Sequence, residues 1–230
     1  MILTTVKKVK DRFVPATIQH IQQNRPRLFK FIVSILHIVG IIGMSIPKTQ
    51  PIFQFLTPLH LILSLGILFL FHTDWNKSFG LFALAAFTIG FGSEVLGVHT
   101  GFPFGNYSYG QVLGTKLLEV PLIIGVNWLL LVYLSGNLLH KKIKNHWLAA
   151  LLSAGLMVAI DFIIEPVAIA LDFWSWESDI IPLSNYLGWF GTAFIIQLIY
   201  RKLNFQKANY ISPYLLIHLI TFFAILNFVL

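Results

Sequence analysis

Gly90-Phe91-Gly92-Ser93-Glu94-Val95-Leu96-Gly97-Val98-His99-Thr100-Gly101-Phe102-Pro103-Phe104-Gly105-Asn106-Tyr107-Ser108-Tyr109-Gly110 is the stretch on which the reading of this chain turns. Its first half closes an apolar run, residues 79–98, long enough to cross a bilayer, and Glu94 lies about one turn short of the end of that run. Its second half is a loop of glycine, proline and aromatics with almost no charge. A carboxylate in hydrocarbon is costly and demands a partner or a function. A loop of this composition directly after it points to a folded lid rather than a solvated connector.

Outward from this stretch the apolar pattern repeats. Runs of spanning length cover residues 28–46, 52–72, 79–98, 117–139, 147–173, 183–200 and 212–229, with short breaks such as Pro47-Lys48-Thr49-Gln50-Pro51 between them. The pattern predicts an all-α fold: a polytopic membrane helix bundle of about seven transmembrane helices. The composition agrees, with 57% hydrophobic and 11% charged residues, where soluble domains carry roughly 25% charged. No polar linker follows Lys30, so one transmembrane domain, residues 28–230, is expected after a basic N-terminal segment, residues 1–27. Val6, Val9 and Phe13 can line one side of a short interfacial helix that Pro15 interrupts. No small-residue cleavage site follows the first apolar run, so no removable signal peptide is expected. The chain has no cysteine, which removes disulfides, thiol catalysis and thiolate-ligated metal.

A formal charge of +7 looks at first like a nucleic-acid signal, but its distribution says otherwise. The N-terminal region through Lys30 and the second, fourth and sixth connections hold all the Lys and Arg except Lys48 and Lys116. This asymmetry puts the N-terminus in the cytoplasm and the C-terminus outside. The basic balance is then a topology signal; a lipid bilayer is the expected partner, nucleic acid is not, and the expected location is the cytoplasmic (inner) membrane, multi-pass.

A second group of acids stands in the fifth predicted helix, Asp161-Phe162-Ile163-Ile164-Glu165-Pro166. Asp161 and Glu165 are four apart and share one helix face. Glu165 falls at a depth close to that of Glu94, and Pro166 predicts a kink or a small polar opening there. A buried carboxyl can also serve as a protonated structural clamp. Three in one half of the membrane, two of them on one face, favour a function. His37, His60, Asn127 and His218 reach similar depths; each histidine alone is more often a helix–helix hydrogen-bond partner than a catalyst. No HExxH pattern is present, so no metal site is expected.

The segment from Trp174 to Trp189 repeats the composition of the opening loop. Both loops follow an acidic helix, contain proline and an Asn-Tyr pair (Asn106-Tyr107 and Asn185-Tyr186), and lead to a tryptophan, Trp128 or Trp189. Taken singly, Trp174 and Trp176 read as members of an interfacial aromatic belt. Together the two loops can close an aromatic-walled pocket over the carboxylates. Such a pocket suits protonation of a lipophilic alkene by a carboxylic acid kept neutral in an apolar site. Aromatic faces and a nearby carboxylate then stabilise the tertiary cation, and a second carboxylate orients water.

The combination of Glu94-x-x-Gly97-x-x-Thr100-Gly101-x-x-Phe104-Gly105-x-Tyr107-x-Tyr109, Val120-Pro121 before Trp128, Asp161 to Pro166, Trp174-x-Trp176, and Pro182-x-x-Asn185-x-x-x-Trp189 resembles a membrane carotenoid biosynthesis protein family. That family includes bisanhydrobacterioruberin hydratase and the bacterial γ-carotene 1′-hydroxylase, carotenoid 1,2-hydratases. The resemblance implies hydration of the terminal double bond of an acyclic carotenoid, with water as co-substrate, no cofactor, and other enzymes of the same route as partners. One departure is Glu177-Ser178-Asp179-Ile180-Ile181, where the hydratases are expected to carry glycine and tyrosine; the outer lid therefore differs.

These readings assign Glu94, Asp161 and Glu165 as catalytic, with Asp161 or Glu94 giving the proton and Glu165 positioning water. His60, Tyr107, Tyr109, Asn127, Trp128, Asn185 and Trp189 are the expected substrate-binding residues. Two rivals stand beside this reading. One is a carotenoid cyclase or isomerase, in which the cation loses a proton; the other is a proton-coupled carrier or pigment-pathway assembly partner without catalysis. A membrane prenyltransferase is set aside, because Asp161 and Glu165 form one lone acidic pair with no second aspartate-rich run to hold Mg²⁺-diphosphate.

Overall fold

Asn76 and Asn145 start two of the long helices: the side chain of the first accepts from Phe79 N–H, that of the second from Trp147 and Leu148 N–H. The computed structural model describes residues 15–177 and 179–230. Among these the helices are α1 (Ala16–Asn24), α2 (Pro26–Ser45), α3 (Gln50–Leu70), α4 (Lys77–Thr100), α5 (Ile123–His140), α6 (His146–Ala170), α7 (Leu183–Lys202) and α8 (Ser212–Val229). Four short strands join them, β1 (Tyr107–Tyr109), β2 (Lys116–Leu117), β3 (Val120–Pro121) and β4 (Trp174–Trp176). The fold is an all-α polytopic membrane bundle, and the chain is a multi-pass membrane protein. The seven long helices correspond to the seven runs expected from sequence, and all but α7 are long and apolar enough to cross a bilayer. α7 is the more polar one because it packs inside, against α4, α5 and α6, burying Asn185, Thr192 and Gln197.

α5 is the axis of the bundle. It touches α3, α4, α6, α7 and α8, and every residue from Trp128 to Gly136 is buried. Its side chains are accordingly apolar on all faces. α2 and α3 lie at the periphery and leave Ile35, Val39, Leu59 and Leu63 exposed, as lipid-facing surface requires.

The connections segregate into two ends. At one, Gln22 donates to the Leu70 and His72 carbonyls, Tyr210 to the Gln22 carbonyl, and Gln206 N–H to Asp74. Arg201 reaches the carbonyls of His140 and Ile143 at that end. At the other, Gln54 donates to the Leu171 carbonyl and Asn106 to Glu177. This is the grouping that the Lys and Arg count demands. His72 stays uncharged at the basic end: burial pulls its pKa down to about 4, and its Nδ1 lies 2.9 Å from the Tyr133 hydroxyl.

Three expectations need correction or placement. The fourth run does not become helix at residue 117. Residues 116–121 form a β2–β3 hairpin with Leu118 and Glu119 at positive φ (51° and 63°), and α5 starts only at Ile123. An apolar count cannot distinguish an apolar hairpin from the first turn of a helix. α6 runs on through Pro166, as the expected run 147–173 has it, but ends at Ala170, short of Phe173. The expected interfacial helix through Val6, Val9 and Phe13 lies outside the described residues; the helix that is present, α1, begins directly after Pro15.

Candidate active site

The two outer loops meet as a two-stranded antiparallel ribbon. β1 pairs with β4 in the register Tyr107 to Trp176, Ser108 to Ser175, Tyr109 to Trp174. Because side chains alternate along a strand, one face of the ribbon carries all four aromatics and the other the two serines. Ser108 and Ser175 are exposed, whereas Tyr109 and Trp176 are buried. The aromatic face points down at the carboxylates.

Each strand serves one acid. Glu94 Oε2 accepts from the Tyr107 and Tyr109 hydroxyls at 2.5 and 2.8 Å, and its Oε1 from Trp128 Nε1 at 2.9 Å. Glu165 Oε2 accepts from Trp174 and Trp176 Nε1 at 2.9 and 3.0 Å. Asn185 Nδ2 joins the fifth-helix pair, donating to Glu165 Oε1 at 3.0 Å and to Asp161 Oδ2 at 2.9 Å. Burial, then the neighbouring Glu94 carboxylate, pushes the Tyr107 and Tyr109 phenols well above their ordinary range, so both remain protonated.

The three acids are therefore held differently. The partners of Glu165 are three N–H groups that only donate, a cradle suited to a charged carboxylate. Those of Glu94 include two phenols, which can accept as well as donate, so this group can hold and pass a proton. Asp161 is wholly buried, and its Oδ1 has no partner among the described residues.

Glycine permits the close approach that builds the Glu94 cradle. A Cβ on Gly97 would stand 2.8 Å from the Tyr107 hydroxyl, and one on Gly90 2.3 Å from Trp128 Cγ. We expect Gly90→Val to push Trp128 off Glu94 and cost about 1–3 kcal/mol, the usual scale of overpacking. A melt of the detergent-solubilised protein, followed by tryptophan fluorescence, checks this.

Glu94, Glu165, Tyr107, Tyr109, Asn127, Asn185 and Trp189 line a small pocket of about 20 Å³ together with Phe104, Ile124, Trp174 and Trp176. Trp128 stands behind it, stacked on Trp189 with centroids 4.4 Å apart. Beside it lies a much larger apolar cavity, about 350 Å³, bounded by α2, α3, α5 and α8. Ile124, Asn127 and Trp174 line both, so the two spaces adjoin.

Nine of the ten residues expected from sequence gather at or directly against the acid pocket. His60 does not: it lines the large cavity, its ring 4.8 Å from that of His37, and its Nε2 is buried without a partner among the described residues. Asp161 belongs to the cluster through Asn185 but lines neither cavity. Trp174 and Trp176 were the omission, read as belt residues although they are the donors to Glu165. The available signal was their spacing: Trp174-x-Trp176 matches Tyr107-x-Tyr109, the alternation of one strand face. The parallel between the Asn-Tyr pairs breaks down, since Asn185 bridges two buried acids while Asn106 is exposed and holds Glu177 at 2.7 Å.

A 141-residue stretch is 31% identical to the bisanhydrobacterioruberin hydratase of Haloarcula japonica, covering 55% of this chain and 46% of that protein. The chain thus matches just under half the length of this curated relative. No solved structure matches it. The family model described as "Carotenoid biosynthesis protein" matches residues 55–230, which include every acid and aromatic of the cluster. The chain belongs to the carotenoid biosynthesis protein family.

Proposed function

We propose that the protein is an intramembrane carotenoid hydratase of the cytoplasmic membrane, adding water across the terminal C1=C2 double bond of an acyclic carotenoid end. The observation that carries this reading is the junction of the two cavities. A lipid-facing apolar cavity adjoins a carboxyl pocket roofed by aromatics, so that a long hydrocarbon lying in the first would have its end beside the second. The similarity to a named carotenoid hydratase supports the same substrate class.

Glu94 is the proton donor in this scheme. It lines the pocket and its phenol partners tolerate either protonation state. Its proton goes to the less substituted alkene carbon, the π pair forming the new C–H bond and leaving a tertiary cation. The stacked indoles of Trp128 and Trp189 and the Glu165 carboxylate stabilise that cation. A water oxygen then forms the C–O bond and gives its proton to Glu165, yielding a tertiary alcohol. Transfer of that proton back to Glu94 closes the cycle, so water is the only co-substrate and no cofactor takes part. Asp161 acts through Asn185 and is a positioning residue. His37 and His60 belong to the wall of the hydrocarbon berth.

Expression in a host that accumulates lycopene or γ-carotene tests the reading. The expected product carries the mass of one added water, with the host's own carotenoid depleted. A converted product of unchanged mass would replace hydration by cyclisation or isomerisation. Absence of any conversion by purified protein in detergent would favour a carrier or an assembly partner.

A further inference from the structure

Asn127 is the polar side chain left over where the two cavities meet. It lines both, with Ile124 and Trp174. Ile124 is apolar, and the Trp174 N–H is committed to Glu165. Among the described residues no hydrogen bond reaches the Asn127 amide. It stands on α5 directly before Trp128, the residue that holds Glu94. A half-buried amide that lines two cavities and spends neither its N–H groups nor its carbonyl on the described residues is available to hold an occupant.

The pocket it faces has the size of that occupant. Its volume of about 20 Å³ leaves room for a water, which needs at least roughly 10–15 Å³. A water there also needs two or more polar partners. Asn127 supplies its carbonyl, and Glu165 supplies Oε1, which receives one donor, Asn185, where Oε2 receives two. A water with one hydrogen on each of these acceptors would keep an oxygen lone pair free for a cation at the junction of the two cavities.

We propose that Asn127 holds the attacking water, and so decides whether the tertiary cation is hydrated or deprotonated. The inference rests on the acid-catalysed reading of the site and specifies what that reading leaves open. With the water in place, a C–O bond forms and the water proton goes to Glu165. Without it, Glu165 takes a proton from a carbon next to the cation, the C–H pair forms a shifted double bond, and the product has the mass of the substrate. Both routes consume one proton from Glu94 and return one to Glu165, so they balance without any further reactant.

The test is product partition in membranes or detergent, by mass spectrometry, for the wild type and for Asn127→Leu, Asn127→Ala and Asn127→Ser. Leucine fills the space of the amide without its polar atoms, alanine leaves room without a partner, and serine restores an acceptor. The ratio of unchanged-mass isomer to hydrated product is expected to rise at least about tenfold in the leucine and alanine variants, with serine returning toward wild type. If the leucine variant does not accumulate in the membrane, the alanine and serine pair carries the comparison. A wild-type partition in alanine or leucine, or an equal fall of both products, overturns the assignment of Asn127 alone. A wild type that hydrates nothing overturns the reading of the site itself, which the same chromatograms show separately.

Discussion

Glu94→Gln is expected to lower the hydration rate by about 10²–10⁴-fold, the scale of a general acid removed, while the protein still inserts and folds. Glutamine keeps the shape of the side chain, and its carbonyl oxygen can accept from Trp128 or the two phenols, so the cradle survives with one rearranged contact. What it lacks is a proton to give. Asp161→Asn provides the contrast. That residue lines neither cavity and reaches the site through Asn185, so its loss is expected to cost about 10–100-fold, as for other groups that act through a neighbour. Rates measured on detergent-solubilised protein with a fixed carotenoid supply decide the order. A larger loss for Asp161→Asn than for Glu94→Gln would reverse the two roles.

The second large effect is on stability. Glu165→Leu is expected to destabilise the protein by about 3–5 kcal/mol, because it strands donors that already have fixed directions. Two of them are the Trp174 and Trp176 indoles of β4, and the third is Asn185. Each buried donor left without an acceptor costs about 1–3 kcal/mol, whereas removing both partners of a bond can be almost neutral. Adding Trp174→Phe and Trp176→Phe to Glu165→Leu is therefore expected to recover part of the loss. Melting temperatures of the single, double and triple variants read the coupling. A triple variant no better than Glu165→Leu would mean that the indoles do not depend on this carboxylate.

The helices were legible because a spanning helix is a local object, recognisable from twenty or so consecutive residues. The carboxyl cluster was legible for a different reason, since hydrocarbon makes each acid conspicuous. The β1–β4 ribbon was not, because its strands lie on opposite sides of α5 and α6 in the chain, and three-residue strands leave no period to detect. Without the pairing, Trp174 and Trp176 look like residues that belong at a membrane surface. His60 was placed by depth alone, and depth does not give rotation about a helix axis. The 116–121 hairpin was hidden by its own apolar sequence.

The ribbon has a consequence for how two immiscible reactants can meet. Ser108 and Ser175 face outward while Tyr107, Tyr109, Trp174 and Trp176 hold the acids from within, so one layer of backbone stands between the aqueous phase and the carboxylates. In the hydration proposed above, the alkene would arrive sideways from oil and the water from above, and neither would have to traverse the other's medium. On the proposed function the protein would work as a phase-boundary reactor whose partition is only one strand pair thick. A partition sealed too well starves the cation of water; one too loose floods the acids and dissipates the apolar setting that gives them their strength.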